Sequence, residues 1–80
     1  MDTRRAVMQR LQNLCQEKGL SLNALANLSG VPPMTVYCLF NGKSKNPGVV
    51  TLKKLCDGLE ITLSEFFDSE RFLGLEQEIQ

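Results

Sequence analysis

Few residues in this 80-residue chain could do chemistry. The stretch Asn41-Gly42-Lys43-Ser44-Lys45-Asn46-Pro47 brings two amines, a hydroxyl and two side-chain amides together. Its Gly, Asn and Pro favour tight reversal and cannot continue a helix, so it reads as a basic polar loop. The formal charge of zero conceals a division along the chain. Residues 1 to 54 carry eight basic side chains against two acidic ones, a net of +6, and residues 55 to 80 carry Arg71 against seven acids, a net of −6. Such asymmetry suggests one face turned to a polyanion and an acidic end turned away from it.

Other chemistries find no support. There is no histidine, and Cys15, Cys38 and Cys56 are odd in number, widely spaced and without a Cys-x-x-Cys pair. That argues against zinc and against a disulfide framework, and each thiol falls at an apolar position of a helical pattern, as a small half-buried side chain in a reducing compartment would. No nucleophile has an activating base and no carboxylate pair is placed for acid and base work, so an enzyme, and with it a cofactor or metal centre, is rejected. The amino terminus lacks the apolar core of a signal peptide, and no apolar run approaches the roughly 20 residues of a membrane span. A cytoplasmic protein without a membrane partner is expected.

The elements that must position the loop are helical. Val7, Leu11, Leu14 and Cys15 form one stripe, which Asp2 or Thr3 can cap and Gly19 can end. Ser21 caps a short second helix holding Leu22, Leu25, Ala26 and Leu28, stopped near Gly30. A third helix runs from about Pro33 to Phe40, because proline suits the first helical turn, where its missing N–H has no partner to lose. Val49, Leu52, Leu55, Cys56 and Leu59 mark a fourth, and Thr62 caps a short fifth holding Leu63, Phe66 and Phe67. Nothing alternates convincingly, so the expected class is all-α. One compact domain should occupy residues 1 to 68, with its paired short helices at about 21 to 40 and a tail at 69 to 80. That tail spaces Phe72, Leu75 and Ile79 as an amphipathic helix would, whereas Gly74 favours a frayed end.

Two short helices with Ala26, Gly30 and Val36 in order make a specific pattern: a small residue for close approach, a glycine for the left-handed turn, a branched residue in the angle. Here the chain resembles the Xre and phage-repressor (Cro/C1-type) helix-turn-helix family, over roughly residues 4 to 68. KGLSLNALANLSGV matches the second helix and turn, NGKSKNP the following loop, and TLKKLCDGLEITLSEFF the last two helices. The resemblance implies a compact five-helix lambda-repressor-like DNA-binding domain whose third helix enters the major groove of double-stranded DNA. It places Pro33, Met34, Thr35, Tyr37 and Cys38 towards the bases. It places Asn41, Lys43, Ser44 and Lys45 on phosphates, with Asn23 near the start of the second helix.

Three departures from the family pattern matter. Relatives commonly carry Gln, Arg, Ser or Asn for bidentate contacts with base edges, and this third helix has few such groups. A buried Arg and Glu pair of the family is replaced at both positions, by Cys15 and Phe40, which are therefore expected to touch. Leu22 stands where relatives often have a phosphate-contacting Gln. The expected function is a sequence-specific DNA-binding transcriptional regulator, acting as a homodimer because one short helix reads too few bases, with Leu63, Phe66, Phe67 and Phe72 as the candidate dimer face. The alternative is a protein-interaction module, antitoxin-like or accessory, that meets a protein partner through Met34, Tyr37 and Cys38.

Overall fold

The computed structural model describes residues 2 to 41 and 48 to 79. Five helices follow in order: α1 Thr3–Lys18, α2 Leu22–Ser29, α3 Pro33–Asn41, α4 Val49–Gly58 and α5 Leu63–Phe67. A 3-10 turn at Glu70–Phe72 closes the chain, and no strand occurs among the described residues. The principal extents are 36 × 25 × 20 Å. The fold is thus the all-α, five-helix arrangement that the sequence pattern leads one to expect.

Local hydrogen bonds explain most helix ends. Asp2, rather than Thr3, caps α1, its Oδ1 accepting from the Arg5 N–H at 2.7 Å. Gly19 takes the left-handed conformation at φ 68°, so the Leu20 N–H reaches back to the Cys15 carbonyl at 2.9 Å. Only glycine adopts that geometry without a Cβ penalty. Ser21 caps α2 by accepting from the Ala24 N–H, and Gly30 ends it with the Val31 N–H on the Ala26 carbonyl. Thr62 and Glu65 form a reciprocal capping box on α5.

One core joins the five helices. Leu11 of α1, Leu25 of α2, Val36 and Leu39 of α3, Leu55 of α4 and Phe66 of α5 are all buried in a single cluster. Cys15 lies inside that cluster, and Phe40 packs against it half-buried. α2 packs on both α3 and α4, so the paired short helices are held to the body from one side. Two expected core positions fail. Val49, placed in the α4 stripe by spacing, is 75% exposed, because it opens the helix and projects before the first turn meets the body. Leu28 is also exposed, leaving Leu25, Ala26 and Ser29 as the buried side of α2.

The tail follows neither simple expectation entirely. After α5 it makes a single 3-10 turn in which Phe72 packs on Phe66 and Phe67, with ring centroids 6.1 and 5.0 Å apart. No helix continues through Leu75 and Ile79. Thr3 Oγ1 donates to Glu78 Oε2 at 2.9 Å, returning the tail to the start of α1.

Candidate nucleic-acid interface

α3 divides into two faces by its own periodicity. Val36 and Leu39 enter the core, while Met34, Thr35 and Tyr37 stand outside and Pro33 and Cys38 are half-buried. Met34 is 70% exposed and Tyr37 45%. The entry to this helix is set by its prolines: Pro33 occupies the first helical position, and the Pro32 carbonyl accepts from the Thr35 and Val36 N–H groups at 2.9 and 3.4 Å. A ring with φ already near the helical value makes that entry stiff. Ala26, fully buried, removes side-chain bulk where α2 faces the core, and Gly30 turns the chain between α2 and α3 at φ 67°.

The other expected contact residues distribute unevenly. Asn23 is exposed in the first turn of α2, beside the half-buried Leu22. Asn41 is exposed at the last position of α3. Lys43, Ser44 and Lys45 lie outside the described residues. Among the side chains expected at a dimer face, Phe66 is a correction: it is fully buried in the core of a single chain, where α1, α4 and α5 enclose it. Leu63 and Phe72 are half-buried against the same core, and Phe67 alone of the four remains exposed, at 42%.

The charge pattern is also rearranged by the fold. Arg10, counted among the basic residues of the first half, turns its guanidinium to the end of α5, with Nε donating to the Phe66 carbonyl at 2.8 Å and Nη2 to the Glu65 carbonyl at 2.9 Å. Those carbonyls carry the negative end of the helix dipole, so the cation is held where it is stabilised. Sequence spacing offers no sign of this role, since donor and acceptor lie 55 and 56 positions apart. Lys53 is paired with Asp57 one turn along α4. Neither cation is as available to a polyanion as its place in the sequence implies.

Burial raises the Cys15 thiol pKa, and burial with the neighbouring Asp57 carboxylate raises that of Cys56, against a smaller opposing influence of Lys53. Both are thereby kept neutral and unreactive. Among the described residues no group of three His, Cys, Asp or Glu side chains could hold a metal ion, and no helix is long and apolar enough to cross a membrane.

Comparison with known proteins agrees with this geometry. The family model described as the Cro/C1-type HTH DNA-binding domain matches residues 10–70. The HTH-type transcriptional regulator SlrR of Bacillus subtilis (strain 168) is 40% identical over 58 residues, which are 72% of this chain and 38% of SlrR. This chain therefore corresponds to well under half the length of that relative. The crystal structure of the prophage Lp1 protein 11 superposes with a TM-score of 0.77 at 36% identity, covering 86% of this chain and 92% of that one. The match spans the buried stripe, the Gly30 turn, α3 and the capped α5, and on that ground the chain belongs to the Cro/C1-type HTH DNA-binding family, a family of DNA-binding domains and not of enzymes.

Proposed function

We propose that this chain is a sequence-specific transcriptional regulator acting in the cytoplasm, with residues 1 to 68 as its DNA-binding unit and 69 to 80 as a tail. α3 enters the major groove, and the loop at 41 to 45 grips phosphates. The observation that carries the reading is the split of α3, with Val36 and Leu39 anchored in the core and a row of side chains left outside. A helix held by one face and bare on the other fits a groove about 12 Å wide.

The row has its own chemistry. Pro33 and Met34 offer apolar contact to thymine methyl groups, and the Thr35 and Tyr37 hydroxyls can each donate or accept at a base edge. Cys38 adds a small, weakly polar surface. None of these makes a bidentate contact, so affinity must come chiefly from phosphates, through Lys43, Lys45, Ser44, Asn41 and Asn23, and discrimination partly from DNA shape. Two copies acting together double the number of bases read, which supports a homodimer.

The test is a fluorescence-anisotropy titration of the wild type and the Lys43→Ala, Lys45→Ala double variant. Each is titrated with a random duplex and with the protein's own promoter region across a salt series. The reading expects salt-sensitive binding that prefers the promoter, with a log-log slope shallower by roughly 0.9 for each phosphate that a substituted lysine no longer neutralises. Absence of binding to either duplex at low salt would refute it. A second reading is favoured by one observation: the exposure of Met34 and Tyr37, large apolar side chains of the kind that fill protein interfaces. In that case an accessory or antitoxin-like module meets a protein through α3, and Tyr37→Ala would abolish the partner complex while leaving DNA affinity unchanged.

A further inference from the structure

We infer that the face built by Val49 and Val50 at the start of α4 and by Phe67 at the end of α5 receives a second copy of this chain. The inference deepens the regulator reading above, on which its purpose rests, and relocates the dimer face from the core residues Phe66, Leu63 and Phe72.

Three observations carry it. The first is apolar exposure without a local reason. Val49 and Val50 are 75% and 70% exposed in the first turn of a helix whose N-cap, Gly48, supplies no side-chain cap. Helix starts favour polar caps, and monomers rarely leave apolar patches beyond about 300 to 600 Å² without a use for them. The second is shape. Beside these valines runs an open groove of about 540 Å³ whose apolar walls are Val7, Val49, Leu52 and Phe67. One face thus holds both a recess and, in Val50, a projection to fill one. A two-fold interface needs that combination, because the same patch must complement itself.

The third observation is charge, and it decides the occupant. Arg4 and Glu78 both line this groove, with Glu78 held by Thr3. A partner rich in one sign of charge would meet a like charge at one edge. A copy turned by a two-fold axis brings the Arg4 edge of one chain opposite the Glu78 edge of the other, twice. None of the residues of this face belongs to α3, so pairing leaves the outer row of that helix free for DNA.

The experiment is sedimentation velocity on the full chain from low micromolar to several hundred micromolar, for wild type, for Val49→Glu with Val50→Glu, and for Leu28→Glu. Leu28 is an exposed apolar residue of α2, well apart in sequence from the proposed face. Wild type and Leu28→Glu should show the same concentration-dependent dimer, and the valine double variant should dimerise at least about tenfold more weakly, with an unchanged helical circular dichroism spectrum. A wild type that stays monomeric throughout, or a valine variant that dimerises like wild type, overturns the inference. Equal weakening by Leu28→Glu overturns it as well, since the effect would then be general stickiness. Binding of wild type to a random duplex is read separately: if DNA binding fails while the valine-dependent dimer persists, the regulator reading falls and the face stands.

Discussion

Gly58 of α4 lies against Ser29 of α2 so closely that a Cβ at position 58 would stand 3.1 Å from the Ser29 Cβ and 3.2 Å from its Cα, and would collide with its Oγ. Because the backbone of α2 is among the atoms met, a side-chain rotation cannot relieve the clash. Gly58→Ala should therefore destabilise by about 1 to 3 kcal/mol in urea melts, despite the gain in helix propensity. A variant within about 0.5 kcal/mol of wild type would show that the two helices can separate cheaply. Ser29→Gly in the same chain should recover only part of the loss. Ser29 Oγ is also buried without a hydrogen-bond partner among the described residues, so Ser29→Ala alone should be neutral or raise stability by up to about 1 kcal/mol.

Arg10 should behave as a structural cation. Arg10→Ala removes both hydrogen bonds to the end of α5 and should cost about 1.5 to 3 kcal/mol, and Arg10→Lys should restore less than half, since an ammonium cannot hold two carbonyls in the same fork. In the salt series, neither variant should change the slope of DNA binding. A slope shallower by about 0.9 would instead make Arg10 a phosphate contact.

Glu60 has φ 61°, the one non-glycine residue with positive φ among those described, in the turn between α4 and α5. It is exposed, and nothing in its side chain favours that conformation. Glu60→Gly should raise stability by about 0.5 to 1 kcal/mol. A loss of stability would mean that the entropy of the unfolded glycine outweighs the relief of strain.

The buried thiols give a pH dependence of known sign. Their folded pKa values are raised above the ordinary value of 9.0, so the stability that this burial contributes is fully present below pH 9 and is lost as pH rises through the folded values. Urea midpoints should fall above pH 9, and Cys15→Ala with Cys56→Ala should flatten that fall. A thiol reagent should modify the half-buried Cys38 first in the native protein and all three cysteines after denaturation. Cys15→Arg should cost about 3 to 5 kcal/mol, because it buries a cation in the cluster against which Phe40 packs, with no carboxylate in reach at position 40. Stability equal to wild type would refute the packing of these two positions.

Much of the fold was legible because the signals are local. Asp2, Gly19, Ser21, Gly30 and Thr62 act on backbone groups within a few residues, so their roles follow from the order of the chain alone. The two faces of α3 were legible for a similar reason, since a 3.6-residue period separates Val36 and Leu39 from Met34 and Tyr37 without reference to any other element. Arg10, Gly58 and Val49 were not, because each depends on where a distant segment passes. The carbonyls that hold Arg10 are 55 and 56 residues away, Gly58 is constrained by a helix 29 positions earlier, and Val49 sits on an apolar period yet faces outward. The tail shows the same division, with Gly74 weakening a helix by propensity while Phe72 is placed by the rings of Phe66 and Phe67. The five helices, their ends and the outward row of α3 were thus written into the order of residues, through hydrogen bonds and periodicities that span at most a few turns. Which cations are engaged, which helices touch through bare backbone and which apolar side chains remain uncovered was settled in three dimensions, because those outcomes depend on distances between segments that packing alone brings together.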